Sequence, residues 1–357
     1  MRESSGRNLK FRAAERLVGS NERQKVFSPM TTLSPKVGVV IIGRNEGNRL
    51  TECIRSVSEC SPFVVYVDSG STDGSTTSAK YAGATVVELN MALPFTAARA
   101  RNEGFRRLRQ ISPELPYVQF VDGDCEVTRG WLAKATAFLD EHEPVAVVCG
   151  RRRERFPSRS IYIRLCDSEW NTPIGEAKAC GGDALIRAKA FEQVGGYREE
   201  LIAGEEPELC VRLRAATWKI WRMDAEMTLH DAAITRFGQW WLRHVRSGYA
   251  FAQGAYLHGA KPERHWVWES RRALFWGAVL PFICLLLSAA FGAWGLMLWL
   301  IYPLQMLRRA SHIPGPLWTR LQFSFFELLA RFPEALGQFR FLRDLAFQRP
   351  GRLIEYK

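Results

Sequence analysis

Tyr117-Val118-Gln119-Phe120-Val121-Asp122-Gly123-Asp124-Cys125-Glu126 is the stretch on which the fold turns. It is a short apolar run, preceded by a loop carrying Pro113 and Pro116, that stops at two carboxylates separated by a glycine. Apolar residues on both faces predict a strand buried inside a mostly parallel sheet. In such sheets ligands bind beyond the carboxyl ends of the strands, which is where Asp122 and Asp124 fall. Residues i and i+2 of an extended segment point the same way, so both carboxylates are expected to face one point, with Gly123 keeping the space clear. Two hard oxygen anions aimed at one point suit Mg²⁺ or Mn²⁺, which can in turn hold a diphosphate. An Asp-Gly-Asp turn that simply closes a strand fits the same tripeptide.

The totals bound the classes. A chain of 357 residues has room for one large domain with attachments, or for two. A net charge of +12 with 47% apolar residues points to anions or an anionic membrane surface and excludes a disordered chain. No nucleic-acid partner is expected. Eight cysteines without any C-x-x-C spacing read as reduced, mostly buried thiols of a cytosolic domain, with no metal cluster among them.

Outward from the central stretch, strand and helix alternate. Val37–Ile42 is a β-branched run ending in Gly43-Arg44-Asn45-Glu46-Gly47, followed by a helical period at Leu50, Cys53, Ile54 and Val57. A strand at Phe63–Val67 ends in Asp68-Ser69-Gly70-Ser71-Thr72-Asp73-Gly74-Ser75, a loop of turn residues opening another helix. A strand at Thr85–Leu89 and a helix around Phe95–Leu108 complete the approach to Tyr117. Short connections between alternating elements predict an α/β sheet with helices on both faces. Asp68, at a strand end, is a candidate for hydrogen-bonding a ribose or base, and Asp73 for capping a helix.

Four blocks, Val39-Val40-Ile41-Ile42-Gly43-Arg44-Asn45-Glu46-Gly47, Val67-Asp68-Ser69-Gly70-Ser71-Thr72-Asp73-Gly74-Ser75, Ala98-Arg99-Ala100-Arg101-Asn102-Glu103-Gly104 and Val121-Asp122-Gly123-Asp124, resemble family 2 glycosyltransferases in order and spacing. The resemblance covers roughly residues 36–235. It implies a GT-A fold (Rossmann-like), a nucleotide-sugar donor, a divalent metal and inversion at the anomeric carbon. By it, Asn45, Glu46, Asp68, Arg101 and Asp122 line the donor pocket, and Asp124 contacts the metal. Cys180-Gly181-Gly182-Asp183 resembles the family's glycine-containing acceptor loop, which makes Gly182 and Asp183 acceptor contacts. Where the family usually carries Glu-Asp, with the second acid as general base, this chain has Glu205-Glu206 at a helix start, so Glu206 takes the role. The helix dipole is expected to keep it ionised. His230, where related enzymes often place a histidine beside the diphosphate, is a metal or phosphate candidate.

Several segments read more plainly. Residues 1–35, with seven Arg/Lys, three Glu and no apolar period, are expected to be a disordered extension, and Met30 is an alternative start. Arg151-Arg152-Arg153-Glu154-Arg155 reads as a solvated loop. Gln239-Trp240-Trp241-Leu242-Arg243 departs from the Gln-x-x-Arg-Trp of processive synthases, so 236–271 is expected to be an interfacial helical linker, with Trp240 retained as an acceptor contact.

From Ala273 to Leu307 no residue is charged, with Arg271-Arg272 before and Arg308-Arg309 after. Such a run reads as membrane-embedded, and arginines at both ends place both ends in the cytoplasm. That predicts a transmembrane or re-entrant hairpin over 272–309, followed at 314–350 by amphipathic helices on the membrane surface. The whole then reads as an enzyme of the inner (cytoplasmic) membrane with its catalytic domain in the cytoplasm. It would move a sugar from a nucleoside-diphosphate donor to a glycan or lipid-linked acceptor. A sugar nucleotidyltransferase would want a glycine-rich phosphate loop where Gly43–Gly47 stands. A non-catalytic membrane scaffold would leave the acidic positions unexplained.

Overall fold

A computed structural model describes residues 36–355 of the chain, so the extension at 1–35 lies outside the described residues. In chain order the elements are β1 (Val37–Gly43), α1 (Asn48–Ser58), β2 (Val64–Asp68), α2 (Ser75–Tyr81), β3 (Thr85–Glu88), α3 (Ala97–Ile111) and β4 (Tyr117–Asp122). There follow β5 (Cys125–Val127), α4 (Trp131–Glu141), β6 (Val145–Glu154), α5 (Ile161–Glu169), β7 (Gly175–Ala177), β8 (Ala184–Arg187), α6 (Ala188–Gln193), α7 (Glu205–Ala215) and β9 (Lys219–His230). The C-terminal part is helical: α8 (Phe237–His258), α9 (Val267–Leu274), α10 (Leu280–Phe291), α11 (Ala293–Leu296), α12 (Ile301–Ala310), α13 (Leu317–Leu329) and α14 (Arg331–Ala346).

The strands form one sheet in the order β3-β2-β1-β4-β8-β6-β9-β5, with β7 also paired to β9. The first four are parallel, as the βαβ alternation predicts. Val39, Val40, Ile41, Val65, Val67, Phe120 and Val121 are fully buried, because helices cover both faces of this half. Past β4 the sheet is mixed. β8 runs antiparallel to β4 and β6, β6 runs parallel to β9, and β5 folds back antiparallel on β9.

That mixed half positions the site. The β5–β9 register pairs Cys125 with His230, and the β6–β9 register pairs Glu154 with His230. Three segments distant in sequence therefore end at one place beside the tip of β4. All eight cysteines are free thiols and seven are buried, as their spacing predicts.

After α8 the chain makes a helical hairpin. A continuous helix, Val267–Phe291, includes a π-helical turn at Phe275–Val279 and is broken at Gly292, whose φ is +54°. The return arm packs so closely that a Cβ on Gly295 would lie 2.1 Å from the Leu287 carbonyl oxygen. Among the described residues Val267–Phe291 is the one helix long and apolar enough to cross a membrane, with mean hydropathy 2.2 in its most apolar window. α14 has two faces. One packs on α8, where Gly337 meets the Val245 carbonyl and Gly248 meets the backbone of Glu334. The other leaves Leu336, Phe339, Leu342 and Leu345 exposed. Pro333 sits in the first turn of α14, where its missing N–H breaks no helical bond.

Candidate active site

The carboxyl ends of β1 and β4, the start of α7, the end of β9 and one side of α8 enclose a crevice of about 710 Å³. Asn45, Glu46, Arg101, Asp122, Asp124, Gly182, Glu206 and His230 line it. Asn45 holds the first loop to the second. Its Oδ1 accepts from Thr72 N at 2.8 Å, and its own N–H donates to Ser71 Oγ at 2.8 Å. Asp73 does the same from the other side, accepting from Gly47 N (3.0 Å) and from Ser75 N and Oγ. Those hydrogen bonds, from Ser75 first, hold its carboxyl below the ordinary range. Asp68, a donor contact by resemblance, is 3% exposed and accepts from Tyr66 Oη, Gly70 N and Ser71 N. It shapes the loop from behind and does not line the crevice.

Asp122 and Asp124 both line the crevice but take different partners. β4 ends at Asp122, and a turn at Gly123-Asp124 separates it from β5, so the extended i, i+2 geometry is broken. Asp122 Oδ1 accepts from Arg101 (2.8 Å) and Oδ2 from Arg152 (3.2 Å). Asp124 instead turns to His230, whose Nε2 lies 3.3 Å from its Oδ2. The other imidazole nitrogen, Nδ1, lies 2.6 Å from Glu154 Oε1. Burial and Arg152 both work against a charged His230, but Asp124 and Glu154 outweigh them and raise its pKa above the ordinary value.

Asp124 and His230 fit a divalent cation. They offer one hard oxygen and one imidazole nitrogen, and the buried Glu154 orients the imidazole as an outer carboxylate does in metal sites. Buried carboxylates on both sides of the ring can be balanced by a proton or by a metal. Cys125 shares this cluster, but burial pushes its thiol well above the ordinary pKa, so it stays protonated and is a poor ligand. Asp124 with His230 is one group that could hold a cation; Asp122 with Asp183 lies in a second such group, where Arg101 and Arg152 already bind the Asp122 carboxylate.

Arg101 is a buried strut. Its guanidinium, 3% exposed, binds Asp122 on one side and Glu205 Oε1 on the other (2.5 Å). Burial opposes its charge, and Asp122 and Glu205 more than restore it. Gly182 makes room for this strut, since a Cβ there would sit 2.8 Å from an Arg101 nitrogen. Asp183 lies behind, 1% exposed, accepting from Asp122 N and Thr228 Oγ1 and facing Arg152 at 3.3 Å. It is scaffold rather than an acceptor contact. So is Trp240, whose 1% exposed indole packs against Tyr162, Phe326 and His244.

Glu206 opens α7 at the crevice wall. Against the expectation that the helix dipole keeps it ionised, its pKa is pushed up to about 7, chiefly by burial and then by the charge of Glu205. Burial removes the water that would solvate the carboxylate, and this outweighs the half-charge of a helix end.

Arg152 and Glu154 escaped the sequence reading. The Arg151–Arg155 segment is no solvated loop: β6 runs on to Glu154 and buries Arg151, Arg152 and Glu154, leaving Arg153 exposed. Arg152 reaches Asp122 and Asp183 and lies over the Trp170 ring at 4.9 Å. The only signal was alternation, and a run of arginines hides it because burial of charge depends on distant carboxylates.

Residues 38–195 match the family model "Glycosyl transferase family 2". Those residues form a family 2 glycosyltransferase domain. No curated protein sequence matches the chain. Among solved structures the chain is similar to the mannosyltransferase PcManGT from Pyrobaculum calidifontis, with TM-score 0.56 and 18% identity, over 87% of this chain and 89% of that one. This likeness shows that the glycosyltransferase domain has the GT-A fold. Residues 1–349 of TarS from S. aureus (TM-score 0.43, 16% identity, 85% and 91% covered) also match. So does glucosyl-3-phosphoglycerate synthase from Mycobacterium tuberculosis (0.45, 18%, 63% and 80%).

Proposed function

We propose that this glycosyltransferase is metal-dependent and inverting, is anchored in the inner membrane with its catalytic domain in the cytoplasm, and transfers a sugar from a nucleoside-diphosphate donor to a membrane-associated acceptor. The observation that carries the reading is the raised pKa of Glu206 at the wall of a crevice that also holds the Asp124–His230 pair. A carboxylate near 7 is matched to taking a proton at neutral pH. Glu206 would remove the proton of the acceptor hydroxyl as that oxygen forms its bond to the anomeric carbon. On the opposite face the bond from that carbon to the diphosphate oxygen breaks, and the nucleoside diphosphate departs with its electron pair. Mg²⁺ or Mn²⁺ on Asp124 and His230 would supply neutralisation of the charge on the leaving diphosphate.

The chain's own residues prepare the step. Asn45 and Asp73 tie the two loops that would flank the nucleoside. Arg101 and Arg152 fix Asp122 at the β4 tip. The apolar hairpin supports the membrane assignment: Phe282, Leu285, Leu286, Phe291, Leu304 and Leu307 are each more than half exposed. Contiguous apolar surface of that kind is rare on a soluble monomer.

A panel of UDP-, GDP- and dTDP-sugars, measured by thermal shift with and without Mn²⁺, tests the reading. GDP-mannose is included because the similar mannosyltransferase was solved with GDP-Man and Mn²⁺. One donor at about 100 times its Kd should stabilise the protein by about 2.7 kcal/mol, and only with the cation. No Mn²⁺-dependent stabilisation by any member would overturn it.

A further inference from the structure

α7, which carries Glu205 and Glu206 in its first turn, is fastened along its length by one stretch of chain, residues 258–266, that leads from α8 into the apolar helix. Near the far end of α7, Arg214 pairs with Glu263 at 2.6 Å. In the middle, Glu208 Oε1 lies 2.9 Å from His258 Nε2. At its start the contact is apolar. A Cβ on Gly204 would lie 2.6 Å from the Trp266 ring, and one on Gly254 of α8 would also lie 2.6 Å from it. The indole therefore fills a slot between α7 and α8 that two glycines leave open. His265 stacks on it with ring centres 4.3 Å apart, and Phe251 meets it edge-on at 5.3 Å.

The backbone of Trp266 is left-handed, with φ +53°. That geometry is disfavoured for a bulky residue and persists only where the surroundings fix it, commonly at functional sites. Trp266 lines the same crevice as Glu206, and Gly204, against which it packs, stands two residues before that acid.

We propose that Trp266 is a positioning residue, which holds the first turn of α7 so that the Glu206 carboxylate faces the reacting centre. The proposal rests on the reading of Glu206 as the base and adds the residue that seats it. The apolar hairpin is then more than an anchor, because the stretch that enters it sets the place of the base. Misplacing a reacting group by about 1 Å can cost about 10²-fold in rate. Truncating an aromatic that is merely packed lowers stability and leaves the titration of Glu206 where it was.

The test uses the full chain in detergent, with Trp266→Ala, Trp266→Phe and each of these combined with Glu206→Gln. The first measurement needs no ligand. Glu206→Gln should raise the parent's urea midpoint at pH 8 and not at pH 4. In the Trp266→Ala background that gain should fall by about half or more, because a displaced Glu206 reaches water and its pKa drops toward 4.5. Glu205, Arg101 and Asp122, the charges acting on Glu206, are present in every variant. Trp266→Phe keeps a ring in the slot and should retain most of the gain. The second measurement is Mn²⁺-dependent release of nucleoside diphosphate from the panel of UDP-, GDP- and dTDP-sugars, with water as the acceptor. Here kcat should fall about 10- to 100-fold in Trp266→Ala with KM little changed, and Trp266→Phe should recover it. No gain in the parent, a gain undiminished in Trp266→Ala, or a Trp266→Ala protein with parental kcat would each overturn the proposal. If Trp266→Ala does not fold, Trp266→Leu takes its place in both measurements. Absence of turnover of every panel member by the parent would instead count against the glycosyltransferase reading, and the urea comparison would still decide whether Trp266 seats Glu206.

Discussion

Glu206→Gln removes a proton acceptor from the crevice wall with little change of shape, and its effect on stability follows from the site. The carboxyl is held at about 7 against an ordinary 4.5, first by burial and then by Glu205, with Arg101 pulling the other way. The fold thus favours the protonated acid. That favourable contribution is complete below 4.5 and is lost as pH rises through 7. The gap between 4.5 and about 7 corresponds to about 3 kcal/mol. Glutamine cannot ionise and escapes the loss. Urea denaturation in detergent should therefore find Glu206→Gln more stable than the parent by up to about 3 kcal/mol at pH 8, with the difference vanishing near pH 4. Transfer should fall about 10²–10⁴-fold in the same variant. In the parent, kcat/KM should be about tenfold lower at pH 6 than at pH 8, since a base of pKa about 7 is mostly protonated at the lower value. Glu205→Gln keeps an oxygen for Arg101 but removes the second cause of the shift, so its acid limb should move to lower pH. A Glu206→Gln protein that turns over normally and gains no stability at pH 8 would refute both the base and the buried-charge argument.

Other outcomes follow from the same geometry. Arg152→Met takes the guanidinium from Asp183 and leaves Asp122 with Arg101 alone, and should cost about 3–5 kcal/mol in urea denaturation; an unchanged midpoint would show that the cluster is not buried as described. Glu154→Gln removes the charged partner of His230 Nδ1 and should weaken Mn²⁺ about 10- to 100-fold by calorimetric titration in the presence of nucleotide. An unaltered Kd would remove His230 from the cation site. Gly182→Ala places a methyl against Arg101 and Asp122 and should cost about 1–3 kcal/mol and lower kcat, whereas a neutral result would mean that the strut gives way freely.

Local pattern was enough for the scaffold. Apolar runs separated by helical periods predict the parallel half of the sheet, because each strand's burial on both faces is written in its own residues. The blocks at Asn45, Asp68 and Asp122 were legible as a family resemblance, and the uncharged stretch from Ala273 to Leu307 as an apolar hairpin. What the side chains do was decided by contacts across long sequence separations. Arg152 is buried because Asp122, 30 residues away at the end of β4, and Asp183, 31 residues away just before β8, neutralise it. Glu154 orients His230 only because β6 and β9 pair in one register. Trp240 reads as an acceptor contact until α5 and α13 close over it. Glu206 looks like an ionised helix-end acid until burial and Glu205 set its pKa near 7. Hydrophobic periodicity is a property of neighbours along the chain. The state of a buried charge depends on which opposite charge the fold brings beside it, and no local pattern encodes that.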